Sequence, residues 1–159
     1  EFSYALRDTG LTKLNEDIVV PRGRLEELFA FTAKLQKRHG FPVACFGHAG
    51  DGNIHTNVMV DFKQPGAKAR SEACLDELFR QVIAWGGSIT GEHGVGIDKR
   101  CFMDWMFAPA DLETMQLVRQ ALDPTGLANP GKLFPTPGGC AESARRQQRD
   151  PALKGLEVV

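Results

Sequence analysis

Apolar and polar positions along the chain alternate between two rhythms, one of period two and one of helical period. A β-branched run closed by proline, Glu16-Asp17-Ile18-Val19-Val20-Pro21, reads as a short strand. Over residues 22–38 the positions Leu25, Leu28, Phe29, Phe31, Thr32 and Leu35 recur at helical spacing until His39-Gly40 ends the pattern. Two further apolar runs, 42–48 and 53–60, read as strands separated by the turn residues Gly50, Asp51 and Gly52, which predicts a hairpin. A longer helical stretch then carries Ala73, Leu75, Leu78, Phe79, Val82 and Ile83 and stops at Gly86-Gly87. Residues 88–90 are a brief strand.

The order β-α-β-β-α-β is the split βαβ pattern of ferredoxin-like sandwiches. The expected fold is therefore α+β, an antiparallel sheet with both helices on one face. Beyond it, 99–107 and 110–121 read as C-terminal helices, and Asp123-Pro124-Thr125-Gly126 breaks the second. Asn129-Pro130-Gly131-Lys132 reads as a loop. From Thr136 the chain is rich in Pro, Gly, Arg and Gln with few large apolar groups, so residues 1–135 are expected to form one domain and 136–159 a flexible tail.

Composition narrows the class without naming a function. A chain of 159 residues, 42% hydrophobic and 25% charged, suits a soluble domain able to bury a core unaided. A net charge of -1 removes the electrostatic reason to expect nucleic acid or an anionic membrane as partner. No apolar run is long enough to span a bilayer, and no basic stretch with an apolar segment marks a secretion signal at the start. Cys45, Cys74, Cys101 and Cys140 are scattered without a Cys-x-x-Cys pair and read as reduced thiols in a cytoplasmic setting.

Three of the four histidines fall in two glycine-rich strings, GHAGDGNIH (47–55) and GEHGVG (91–96). A hairpin turning on Asp51-Gly52 pairs 50 with 53, 49 with 54 and 48 with 55, so His48 and His55 are expected to face each other. Directly opposed side chains lie about 4.5–5.5 Å apart at Cβ on one sheet face, close enough for two imidazoles to share a divalent ion. Alternation puts Asn57 on the face of His55, where its amide can reach a ligand. Gly47 and Gly50 are expected to leave room for a bound molecule, and Asp51 reads as a turn former.

The second string has glycines in the order GxxGxG, neither a dinucleotide fingerprint nor a phosphate loop. Glu92 can complete a His-His-Glu metal set with an open coordination position. Adjacent residues on an extended chain point opposite ways, so one ligand and one acid/base group is the simpler division of Glu92 and His93. An imidazole with its ordinary pKa of about 6.5 accepts a proton at neutral pH. Lys99 and Arg100 suit either an anionic substrate or the start of the following helix.

GHAGDGNIH, GEHGVGIDK and DPTGLANPGKLF resemble, in order and spacing over about Lys13 to Phe134, the C-terminal domain of the FAD-linked oxidases, the group of the glycolate oxidase flavoprotein subunit, D-lactate dehydrogenase and D-2-hydroxyglutarate dehydrogenase. The resemblance implies FAD-dependent oxidation of a small 2-hydroxy acid to a 2-oxo acid, with hydride passing to flavin. It implies a divalent metal, zinc or else manganese or iron, on His48, His55 and Glu92, and His93 as the base. It places Asn57 on the substrate side and Asn129 on the flavin side. A family lysine near the acidic pair corresponds to Asn15 or is displaced to Lys13, the candidate substrate-carboxylate contacts. The implied partners are an upstream FAD-binding domain, without which the chain should not turn over, and an electron-acceptor protein or quinone, the latter compatible with peripheral membrane association. Two other classes compete: a self-contained metal hydrolase using the same three ligands, for which no separate oxyanion device is visible, and a ferredoxin-like binding module without chemistry.

Overall fold

The computed structural model describes residues 6–135; the tail expected at 136–159 lies outside the described residues. The chain divides between Gly94 and Val95 into two compact units, at a point where the sequence shows no linker.

The first unit holds three strands, β1 (Thr12–Val19), β2 (Val43–His48) and β3 (Asn53–Val60), in the antiparallel order β1-β3-β2. β1 begins four residues before the apolar run that announced it. Its first half is polar, and it is strand because Thr12 to Asn15 pair with Val60 to Asn57. The fourth strand expected at 88–90 is reduced to one antiparallel bridge, Val19 with Ser88, in which the two residues exchange both backbone hydrogen bonds at 3.0 and 2.8 Å. With Ser88 outside β1 the order is that of the ferredoxin-like split βαβ, so the α+β expectation holds with a shorter sheet.

Two helices complete the unit, α1 (Leu25–His39) and α2 (Ala67–Ala84). α1 carries Glu26 and Glu27 in its first turn and Lys37, Arg38 and His39 in its last, the charge order that suits the helix dipole. It buries Leu28, Thr32 and Leu35 at i, i+4 and i+7. Its end is fixed by Gly40, in the left-handed conformation, whose N–H bonds to the Gln36 carbonyl at 3.0 Å. α2 turns Ser71, Cys74, Leu78, Phe79 and Val82 inward. Between the helices, Glu77 accepts from Arg38 and pairs with His39 Nε2 at 3.0 Å, and Phe31 meets Trp85 edge-on at 5.8 Å.

Period-two alternation sorts the sheet into an apolar and a polar face. Ile18, Ile54, Val58 and Val60 share the face on which Cys45 Sγ lies 3.8 Å from Thr32 of α1 and 3.9 Å from Thr56. This is the helix-covered side, and all four apolar residues are buried. Asn15, Asp17, Asn53, His55, Asn57 and His48 lie on the opposite face.

The hairpin register departs from expectation. The pairs are His48 with Asn53, Gly47 with Ile54 and Phe46 with His55, so the connection is the four residues 49–52. His48 and His55 are therefore diagonal neighbours on one face, and not opposed. The wider loop is closed by Asp51 N–H to the His48 carbonyl at 3.0 Å and Gly52 N–H to the Ala49 carbonyl at 3.3 Å. Gly47 is also not making room for a ligand: a Cβ there would sit 2.4 Å from the Asn53 carbonyl oxygen, so the close approach is within the protein.

In the second unit Arg100–Phe102 is a turn of 3₁₀ helix leading into α3 (Met103–Met106), and α4 (Pro109–Leu122) follows. Pro109 at the first helical position and Asp111, which accepts from the Ala108 N–H at 3.1 Å, start α4. Cys45 and Cys74 are free thiols, and burial pushes Cys74 up to about 11, so it serves as a small hydrophobe. Cys101 is disulfide-bonded, which corrects the expectation that it is a reduced thiol. Among the described residues no helix is long and apolar enough to cross a membrane.

Gly47→Ala is expected to destabilise the chain by about 1–3 kcal/mol, because backbone must move to admit the methyl group. Gly50→Ala, with open space around its Cβ, should stay within about 0.5 kcal/mol of wild type. Urea unfolding of the two variants measures both.

Candidate functional site

The polar face of the sheet meets the loop that leaves Ser88, and a single side chain joins them. Asp17, on β1, is 1% exposed. Its Oδ2 accepts the backbone N–H groups of Gly91, Glu92 and His93, each at 2.8 Å, and the Thr90 hydroxyl at 3.1 Å. Its Oδ1 accepts Asn53 Nδ2 at 2.5 Å, and the same Asn53 amide donates to the Ile18 carbonyl at 3.3 Å. Burial alone raises a carboxyl's pKa; here the hydrogen bonds from His93, Asn53, Glu92 and Gly91 outweigh it and hold Asp17 well below the usual carboxylate range.

That packing explains the glycine that opens the second string. A Cβ on Gly91 would sit 1.9 Å from Asn53 Nδ2 and 2.9 Å from Asp17 Oδ1. Only hydrogen fits where the loop crosses the Asp17–Asn53 pair. Successive N–H groups pointing into one concavity are an anion cradle, and this cradle is filled by the protein's own carboxylate.

The loop so held carries Glu92 and His93 over the hairpin histidines. Glu92 Oε1 lies 3.1 Å from His55 Nε2, 3.6 Å from His93 Nε2 and 3.9 Å from His48 Nε2. The His55 and His93 rings stack at 5.1 Å with 16° between planes, and His48 stands edge-on to His55 at 6.1 Å. Phe46 packs against His55 at 5.6 Å. His55 is mostly covered, its side chain 11% exposed, whereas His48, Glu92 and His93 are open at 61%, 51% and 49%. The cluster has a buried floor and an accessible mouth.

One ligand atom each from His48, His55 and Glu92 lies within 4.8 Å of the others. Two imidazoles and a carboxylate are a donor set suited to a borderline divalent ion with an open position. A second feature fits: His55 Nδ1 is buried without a hydrogen-bond partner and lies 3.9 Å from Asp17 Oδ1, leaving Nε2 as the atom directed to Glu92. At metal sites the other ring N–H of a ligand histidine commonly donates to a carboxylate; here Asp17 Oδ1 stands near Nδ1 without that hydrogen bond.

The remaining candidates are placed less directly. Asn57 is fully buried, and its amide donates to the carbonyls of Ala44 at 3.1 Å and His55 at 3.0 Å, so only its buried Oδ1 is left unpaired. Lys13 and Asn15 share β1 and its polar face with Asp17, Asn15 opposite Asn57 and Lys13 opposite Met59. Asn129 belongs to the second unit, where it adopts a positive φ of 48°. Arg119 holds that loop by donating to the carbonyls of Ala128, Asn129 at 3.0 Å and Lys132 at 3.1 Å, while Asp123 accepts the N–H groups of Leu127 and Ala128.

Asp17 and Asn53 escaped the sequence reading. A signal existed: an acidic residue directly before an apolar run, on the face opposite Ile18, and an asparagine two positions before His55 on the same face.

The chain matches the family described as FAD linked oxidases, C-terminal domain, over residues 1–133, and it belongs to that family. It is 39% identical over 126 residues to glycolate oxidase subunit GlcD of Escherichia coli (strain K12), a match covering 79% of this chain and 25% of the relative. It is 33% identical over 118 residues to D-lactate dehydrogenase of Anaerostipes hadrus, covering 74% and 25%. It is 34% identical over 131 residues to D-2-hydroxyglutarate dehydrogenase of Stutzerimonas stutzeri (strain A1501), covering 77% and 27%. The chain thus spans about a quarter of the length of these relatives.

The Asp17 carboxyl has a pH signature. Its folded pKa is depressed, so its contribution to stability is complete above the unfolded value of about 3.9 and is lost as pH falls through that value toward the folded one. Urea unfolding should show Asp17→Asn less stable than wild type by about 3 kcal/mol at pH 7. The gap should hold down to about pH 5 and narrow below about pH 4.

Proposed function

We propose that this chain is the substrate- and metal-binding part of an FAD-dependent 2-hydroxy acid dehydrogenase of the glycolate, D-lactate or D-2-hydroxyglutarate type. The supporting observation is the convergence of three imidazole Nε2 atoms on Glu92 Oε1 at 3.1–3.9 Å in a chain of the FAD-linked oxidase family. The relatives' names supply the substrate class, and the cluster supplies groups for it.

In this reading His48, His55 and Glu92 hold a divalent ion, zinc or else manganese or iron, through the atoms that already face one another. The reaction takes a proton from the substrate hydroxyl and a hydride from its α-carbon, leaving a 2-oxo acid. Bound FAD supplies the acceptor for the hydride's electron pair, and the divalent ion supplies a Lewis acid for the substrate's oxygens. His93 Nε2 takes the hydroxyl proton. Its ring is half-exposed at the mouth of the cluster and fixed in orientation by the His55 stack, so it meets a substrate from solvent without rearrangement. Lys13 and Asn15 offer polar contacts to the substrate carboxylate from the same sheet face; Asn57, the other candidate on that face, is fully buried with its NH₂ committed to the Ala44 and His55 carbonyls and supports the site from beneath.

Asn129 is assigned to the flavin side, on a loop whose carbonyls are tied back to Arg119. FAD itself is held mainly by an upstream domain, the reoxidant being an electron-acceptor protein or a quinone, and the setting is the cytoplasm or its membrane surface. The metal-hydrolase and binding-module alternatives lack an observation that favours them.

Joined to an upstream FAD-binding domain, the chain is expected to support dye-linked oxidation of D-2-hydroxy acids. His93→Ala should lower kcat by about 10²–10⁴-fold while bound zinc or manganese, measured by elemental analysis, stays at the wild-type level. His55→Ala should lose the metal. Undiminished turnover in His93→Ala would remove its role as base, and hydrolytic activity in the isolated, metal-loaded chain would favour the hydrolase instead.

A further inference from the structure

We infer that Asp17 is the positioning residue of this site: it sets the loop that presents Glu92 and His93 over His55. The inference rests on the metal-site reading above for its effect on ligands, and on the hydrogen-bond geometry alone for its effect on the loop.

Asp17 is not itself a candidate ligand. Its two oxygens already accept five donors, Thr90 Oγ1, the N–H groups of Gly91, Glu92 and His93, and Asn53 Nδ2. Those three N–H groups are consecutive, so the backbone from 91 to 93 must curl around one oxygen atom. The curl decides where the Cα atoms of Glu92 and His93 stand. From there Glu92 Oε1 reaches His55 Nε2 at 3.1 Å, and the His93 ring stacks on His55.

The other oxygen faces the opposite side of the same histidine. Asp17 pairs with His55 in the β1–β3 register, and Oδ1 lies 3.9 Å from His55 Nδ1, which is buried and has no hydrogen-bond partner. One carboxylate thus holds the loop through Oδ2 and, through Oδ1, the Asn53 amide on the strand that carries His55. Electrostatics explain why the residue is Asp and not Asn. An amide NH₂ in place of Oδ2 would confront three N–H donors, and in place of Oδ1 it would confront the Asn53 NH₂. Turning Asn53 over to relieve that second conflict would forfeit its bond to the Ile18 carbonyl. Gly91 makes the arrangement intolerant of any shift, since a side chain there would strike both Asn53 and Asp17.

Backbone amide exchange and zinc or manganese titration of the same chain test the inference together. In wild type the amides of Gly91, Glu92 and His93 should exchange at least about tenfold more slowly than exposed loop amides. In Asp17→Asn that protection should disappear, while the amides of Val58 and Val60 in β3 stay protected, which separates loss of the anchor from loss of the fold. Metal affinity of the variant should fall about 10–100-fold, as for other residues that position a ligand without binding the ion, because the loop that carries Glu92 loses its anchor. Fast exchange at 91–93 in wild type overturns the inference, and that measurement stands even where the variant fails to fold. Wild-type loop protection and metal affinity in a folded Asp17→Asn overturn it equally. A wild-type chain that binds neither metal overturns the metal reading instead, and the exchange measurement then decides the role of Asp17 by itself.

Discussion

The loop at 90–93 has no helix or strand of its own, and its course depends on the amides it donates to the Asp17 carboxylate. Regular secondary structure satisfies backbone polar groups by repetition; a loop crossing a buried surface needs a specific acceptor. Asp17 supplies that acceptor with full charge, in surroundings where the bonds are strong because little water competes. The same interaction ends the sheet. After the single bridge at Ser88 the chain turns toward Asp17 instead of continuing alongside β1.

The two faces of the sheet divide the work of the first unit. The face under α1 and α2 is built from Ile18, Ile54, Val58 and Val60, whose burial supplies the hydrophobic stabilisation. The other face carries Asp17, Asn53, His55 and Asn57, polar groups that cost free energy to bury unless bonded. Most are bonded to one another or to backbone. The atoms left over are His55 Nδ1 and the side-chain oxygens of Asn53 and Asn57, on the sheet face that also carries His48. Unmet bonding capacity on the face that carries the convergent ligand atoms is what distinguishes it from an ordinary polar surface. The second unit follows the same logic on a smaller scale, with Arg119 and Asp123 bonding the backbone of the loop around Asn129 from both polarities.

Much of the fold was legible along the chain because its signals are local. The inward spacing of Leu28, Thr32 and Leu35, the stop at Gly40, the apolar run of β3 and the stop at Gly86-Gly87 each depend on residues within a few positions. The hairpin register was not legible. Asp51-Gly52 favours a two-residue turn, yet the strands pair two residues out of that register, and the loop takes in Ala49 and Gly50. A shift of two preserves every side chain's face, which is why His48 and His55 still meet although they are not opposed. Gly47 was likewise misread, since the approach it permits comes from the Asn53 carbonyl and not from a ligand.

The sequence by itself determined which chemical groups are present and which face of each element they occupy, because period and residue type are properties of the chain. It thereby specified two histidines on one face of a hairpin, a Glu-His pair after a strand, and a fold of the ferredoxin-like class. Only the tertiary structure decided that these pieces form one cluster, since that depends on a contact between Asp17 and residues more than seventy positions away. Nothing local to Gly91, Glu92 or His93 encodes the curl of their backbone. It exists because strand pairing brings a buried carboxylate alongside, and its Oδ2 accepts all three of their N–H groups.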